Sequence, residues 1–123
     1  MQTRVLIADD RPRSRSGLKA LLALRSEIQV VGEAANGQEA VRLVEELQPD
    51  VVLMDVKMPV MDGLEATRII KERWPGVKVI VLTIHAGYRA DALTAGADAF
   101  LVKGGPAKDL VKAILDQQQE VRK

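Results

Sequence analysis

The chain of 123 residues has no cysteine. Disulfides, thiolate zinc sites and cysteine nucleophiles are therefore excluded. Its one histidine, His85, is too few for a histidine-rich metal centre. One Trp, one Tyr and one Phe argue against an aromatic ligand cage or a base-stacking surface. No apolar run approaches the ~18 residues of a membrane span. The opening MQTRVLIADD lacks the long apolar stretch and small-residue cleavage site of a secretion signal. Charge of one sign is not in excess: the formal net charge is +1, so no global field gathers nucleic acid or a membrane surface. What is present is an ordinary globular balance, 47% hydrophobic and 28% charged, in a length that suits one domain with its own core. The expectation is a soluble, cytoplasmic domain with no membrane contact.

Short β-branched runs alternate with amphipathic stretches. Residues 4–8 (RVLIA), 29–34 (QVVGEA), 51–54 (VVLM), 77–82 (VKVIVL) and 99–102 (AFLV) read as strands. Pro12 suits the first turn of a helix edged by Leu18, Leu21, Leu22 and Arg25. Asn36 with Glu39, and Asp62 with Glu65, have capping-box spacing. They open helices whose apolar faces are Ala40, Val41, Val44 and Leu47, then Leu64, Ala66, Ile69 and Ile70. Pro49 and the run Trp74-Pro75-Gly76 end these helices. A short helix over 88–95 closes on Gly96, a residue suited to a left-handed cap, and Gly105-Pro106 opens a last helix with Leu110, Val111, Ile114 and Leu115 inward.

Five strands alternating with five helices imply a parallel sheet covered on both faces, joined by right-handed crossovers. In such sheets ligands sit beyond the carboxyl ends of the strands, at the switch point in strand order. Four of the five runs finish there on chemistry: the first on Asp9-Asp10, the third on Asp55, the fourth on Thr83, the fifth on Lys103. In the order 2-1-3-4-5 the first and third strands are neighbours, and three carboxylates converge. Two like charges ~4 Å apart repel by about 4 kcal/mol at an effective dielectric near 20. A hard divalent cation relieves this, and Mg²⁺ favours a few carboxylates with waters and a phosphate. A carboxylate can attack phosphorus to give an acyl phosphate, a reaction that asks the protein chiefly for positioning and charge neutralisation. Lys103 supplies a point positive charge, and Thr83 a hydroxyl. Singly, each residue has a plainer reading: Asp55 a turn residue, Asp9-Asp10 a helix cap, Thr83 a strand residue, Lys103 a surface lysine. Four strand ends together favour the phosphate-handling one.

The motifs VLIADD, VVLMDVKMPVMDG, VIVLT and GADAFLVKG, in this order, resemble the receiver domain of two-component response regulators over nearly the whole chain. The resemblance implies a flavodoxin-like three-layer (βα)5 sandwich. It also implies a switch that takes a phosphoryl group from a sensor histidine kinase, rather than a true enzyme, with phosphotransfer and autodephosphorylation catalysed by the domain itself. Asp55 is then the phospho-accepting residue. Asp9, Asp10, Asp55 and the backbone carbonyl of Lys57 hold Mg²⁺, with Asp10 the more direct ligand of the acidic pair. Thr83 is the switch hydroxyl, Lys103 contacts the phosphoryl group, and Phe100 is the switch aromatic, where a plain core role is the alternative. Lys57 and His85, two residues beyond Asp55 and Thr83, are rim positions that tune hydrolysis.

VVGEAANGQEAV, MDGLEATRIIKERWP and LVKGGPAKDLVKAI are most similar to receivers of the LuxR/NarL type. The expected division is a receiver over 1–117, with 118–123 a helix end or the start of a linker to an effector. DNA is then contacted only through that effector, and a homodimer is a further expected partner. The alternative is a stand-alone receiver acting by protein contacts. Two departures from the family pattern concern loops: Gly104-Gly105-Pro106 follows Lys103, and Thr83 and Lys103 lie slightly closer in sequence than the pattern leads one to expect. The basic run RPRSRSGLK reads first as a solvated helix face, and second as a kinase-docking surface. Met54, Met58 and Met61 read as core and loop filler. A phosphatase of the haloacid dehalogenase type would want a second Asp where Lys57 stands. A flavin-binding module would want a Ser/Thr-rich loop where Asp9-Asp10-Arg11-Pro12 stands.

Overall fold

The computed structural model describes residues 1–116. The expected linker start at 118–123 lies outside the described residues. Five parallel strands, β1 (Thr3–Ala8), β2 (Ile28–Ala34), β3 (Val51–Met54), β4 (Lys78–Thr83) and β5 (Ala99–Val102), form one sheet in the order β2-β1-β3-β4-β5. The helices are α1 (Pro12–Leu22), α2 (Gly37–Leu47), α3 (Gly63–Arg73), α4 (Arg89–Thr94) and α5 (Ala107–Leu115), with a single 3₁₀ turn, Ala86–Tyr88, before α4. Fold class and strand order are as the sequence implies.

The period-2 alternation of each strand divides two cores. On one face Leu6, Ala8, Val52, Met54, Val79 and Val81 pack with Ala40 and Val44 of α2, Ala66 and Ile70 of α3, and Ala92 of α4. On the other, Val5, Ile7, Val51, Leu53, Ile80 and Leu82 pack with Leu22 of α1 and Leu110, Val111 and Ile114 of α5. All four residues of β3 are buried, which is why its sequence is continuously apolar. At roughly 1.5–3 kcal/mol for each large side chain buried, this strand is anchored firmly enough to carry a carboxylate on its next residue.

Register brings the first and third strands level. Ala8 pairs with Ala34 on one side and Met54 on the other. The ladder then runs one residue further: Asp9 N donates to Ala34 O and Asp55 N to Ala8 O, both at 2.9 Å. Both capping pairs form, with Glu39 N donating to Asn36 Oδ1 at 2.8 Å and Glu65 N to Asp62 Oδ1 at 2.9 Å. Gly96 takes the left-handed conformation at φ 103 after α4.

Several local expectations change. Arg25 lies beyond α1, which stops at Leu22 and leaves Arg25 exposed. Thr83 belongs to β4 as its last residue, while Val77 precedes the strand. The helix expected over 88–95 forms over Arg89–Thr94, one residue shorter at each end, and a 3₁₀ turn over Ala86–Tyr88 precedes it. In α3, Ile69 is only half-buried, and Thr67 shares the inner face with Ala66 and Ile70 instead.

Two positions carry stability predictions. Val60, 75% exposed, has φ 70, a conformation a β-branched residue tolerates poorly. Left-handed backbone costs an L-residue roughly 1–2 kcal/mol, so Val60→Gly should stabilise by about 1 kcal/mol after the glycine entropy loss, read as a higher midpoint in urea. Thr67 Oγ1 is fully buried with no hydrogen-bond partner among the described residues. Thr67→Val keeps the shape and removes the unpaired hydroxyl, so a gain of about 1 kcal/mol is expected in the same titration.

Candidate functional site

Asp9 and Asp10 leave β1, Asp55 leaves β3, and Lys103 leaves β5. One carboxylate oxygen from each of Asp9, Asp10 and Asp55 lies within 4.8 Å of the others. Lys103 crosses β4 to reach them: its Nζ donates to Asp9 Oδ2 at 2.6 Å and to Asp55 Oδ2 at 2.9 Å. Lys103 N donates to Thr83 O at 2.8 Å, which fixes where its side chain starts. Asp55 Oδ1 accepts from Val56 N at 2.7 Å. Three hard oxygen donors converging at the switch point fit a small divalent cation, so Asp9, Asp10 and Asp55 can hold a metal.

Asp9 is 1% exposed and its carboxylate is almost fully engaged. Oδ1 accepts from Arg11 N at 2.9 Å, and Oδ2 accepts from Ser14 Oγ at 2.5 Å in addition to Lys103. Burial by itself favours the neutral acid, but the hydrogen bonds from Lys103, Ser14 and Arg11 outweigh it and hold Asp9 below the ordinary carboxylate range. For Lys103, burial favours the neutral amine, and the hydrogen bonds and charges of Asp9 and Asp55 outweigh it, raising its pKa. The pair is thus ionised at neutral pH.

The other expected residues take definite places. Lys57 is exposed and lines a cavity with Asp10, Met58, Asp62 and Tyr88. Thr83 is fully buried, and its Oγ1 accepts from His85 N at 3.3 Å, so the following loop engages the hydroxyl. His85 itself is exposed, its ring edge-on to Tyr88 at 6.0 Å. Phe100 is buried at 5% exposure, with the Arg89 guanidinium carbon 4.9 Å from its ring centroid. Met54 is core, and Met58 and Met61 pack half-buried against it.

Three residues of the site carried no role in the sequence reading. Ser14 joins the Asp9–Lys103 contact. Gly63 is obligatory, because a Cβ there would stand 1.8 Å from Asp55 O. A glycine opening a helix, where a better helix former would serve, was the available signal. Arg15 corrects the picture of a solvated basic face: its Nη1 donates to Asp9 O at 2.6 Å and its Nε to Glu33 Oε1 at 3.0 Å. Lys19 pairs with the same glutamate at 2.7 Å, so the second strand, which lacks a site residue of its own, braces the first.

A group whose folded pKa is lowered contributes stability above its unfolded pKa and loses it as pH falls through the folded value. In metal-free protein the stability difference between the parent chain and Asp9→Asn should therefore be flat from about pH 5 to 9 and shrink below about pH 4, where free aspartate titrates. Urea titrations across that range check it.

The family model of the response regulator receiver domain matches residues 5–115. The chain is 44% identical over 114 residues to the transcriptional regulatory protein LnrK of Bacillus subtilis, covering 91% of this chain and 52% of that protein. It is 43% identical over 118 residues to the response regulator protein VraR of Staphylococcus aureus, covering 93% and 56%. The chain thus spans about half the length of these curated relatives. Among solved structures it superposes on the signal receiver domain of the putative response regulator NarL from Mycobacterium tuberculosis with a TM-score of 0.88, 35% identity and 94% coverage of both chains. A LuxR-family two-component response regulator from Aurantimonas gives a TM-score of 0.87 at 35% identity, covering 93% of this chain and 83% of that one. With the acidic cluster at the switch point, the bridging lysine and this match over 5–115, the chain belongs to the response regulator receiver domain family.

Proposed function

We propose that the domain is switched by transfer of a phosphoryl group from a phosphohistidine of a sensor kinase to Asp55. The observation that carries the reading is the Lys103 ammonium, 2.9 Å from Asp55 and 2.6 Å from Asp9, beside three carboxylates that can share a cation. An Asp55 carboxylate oxygen attacks phosphorus in line. The O–P bond forms as the P–N bond breaks, and the imidazole leaves with the electron pair. Asp9, Asp10, Asp55 and the backbone carbonyl of Lys57 would hold Mg²⁺, which when bound would supply positive charge against the carboxylates and the phosphoryl group. Lys103 keeps its contact with Asp9 and turns the donor now on Asp55 to the phosphoryl oxygens. Asp9 already accepts from Arg11, Ser14 and Lys103, which leaves Asp10 as the freer ligand of the pair.

The bistable element lies at Thr83 and Phe100. Thr83 exchanges its hydrogen bond from the His85 backbone for one to a phosphoryl oxygen, and Phe100 repacks behind it. The population then shifts toward the active surface of α4, β5 and α5. Water attack on the acyl phosphate resets the domain, with Lys57 and His85 setting its rate from the rim. This chemistry belongs in the cytoplasm, where it drives transcription through a DNA-binding domain of the LuxR/NarL type and a homodimer. The likeness to LnrK, a transcriptional regulatory protein, supports that output.

Asp55→Asn should abolish labelling by acetyl phosphate with Mg²⁺ while leaving the thermal midpoint within a few degrees of the parent. Equal labelling of the Asn chain would remove Asp55 from the role.

A further inference from the structure

Ser14 stands on α1, outside the strand ends that present the rest of the site. It does not cap its helix: the N-cap residue is Arg11, and no side chain makes a capping hydrogen bond there. Its hydroxyl is turned instead to the Asp9–Lys103 contact, donating to Asp9 Oδ2 at 2.5 Å and accepting from Lys103 Nζ at 3.0 Å. A hydroxyl has one donor and two acceptor sites, and both kinds are used here.

Lys103 Nζ is within hydrogen-bond distance of three acceptors: Asp9 Oδ2, Asp55 Oδ2 and Ser14 Oγ. Asp9 Oδ2 and Ser14 Oγ, 2.5 Å from each other, lie in neighbouring directions from Nζ. An ammonium on a flexible stem gives poor directionality unless its rotation is fixed. With Asp9 and Ser14 together engaging the ammonium, its rotation is restrained and an N–H stays directed toward Asp55. Without the serine hydroxyl, one N–H turns to water and the group pivots about Asp9.

We propose that Ser14 is a positioning residue for the phosphorylation chemistry: by accepting from Lys103 and donating to Asp9 it restrains the ammonium so that an N–H faces the oxygens arriving on Asp55. The inference rests on the phospho-acceptor reading of Asp55, and it adds α1 to the elements that shape the site.

The test compares Ser14→Thr, which keeps the hydroxyl, with Ser14→Val, which has nearly the same shape without it. Ser14→Ala controls for β-branching on the helix. The first readout is the initial rate of labelling by acetyl phosphate at saturating Mg²⁺. The Thr chain should stay within about twofold of the parent, and the Val and Ala chains should fall by about tenfold, the factor one hydrogen bond to a charged group supports. The second readout needs neither metal nor phosphate. In the ¹H–¹⁵N spectrum of the lysine ammonium groups, the Lys103 signal, assigned by its loss in Lys103→Arg, should be sharp in parent and Thr chains and broadened by water exchange in Val and Ala. Parent-like labelling by the Val chain, or a Lys103 signal as sharp there as in the parent, would overturn the proposal. A parent chain that failed to label would count against the Asp55 reading, and the ammonium spectrum would still decide the role of Ser14.

Discussion

One ammonium group lets this sheet end as it does. Parallel strands β1 and β3, held level by their ladder, bring Asp9 and Asp55 side by side with Asp10 close to both. Like charges at such range repel by several kcal/mol at the effective dielectric of a protein edge. Lys103 offsets part of this with hydrogen bonds to two of the three carboxylates, and burial sharpens the dependence of each partner on the other. Deleting one member of such a cluster leaves the remainder unpaired, which costs more than the pair itself contributes. The residual negative charge is what makes the site ready for a cation and a phosphoryl group.

The remainder of the fold can be understood as support for that cluster. β3 is buried on both faces, so a one-residue slip would exchange Val52 and Met54 with Val51 and Leu53 between two differently packed cores. Gly63 lets α3 begin against the backbone of Asp55, where any side chain would collide with its carbonyl. Arg15 and Lys19 tie α1 to Glu33 of β2, and Arg15 also binds the carbonyl of Asp9. Acid, base and hydroxyl partners therefore arrive from three strands and one helix. Their geometry is set by packing and ladder hydrogen bonds rather than by loops alone.

The layer order and the metal-capable cluster were legible because they follow from periodicity and strand-end position. An unbroken VVLM run ending on Asp55 is hard to reconcile with anything but a strand buried on both faces. The capping pairs at Asn36 and Asp62 were equally readable, since their chemistry is local. Ser14 and Arg15 were not. In a basic first turn, the residues that point back to the strand ends look the same as those that face water, and only the angle at which α1 leaves β1 separates them. The 3₁₀ turn before Arg89 was hidden for a related reason: three residues are too few for a helical period to show. Thr67 was hidden because a hydroxyl on an inner face breaks the pattern that identifies that face.

The most direct test of the account is a structure of the chain with Mg²⁺ and beryllofluoride. It should show the fluoroberyllate on an Asp55 oxygen, the cation among Asp9, Asp10 and Asp55, and the Lys103 ammonium in contact with a fluorine. A fluoroberyllate bound elsewhere, or Lys103 turned away from it with the three carboxylates apart, would contradict the account.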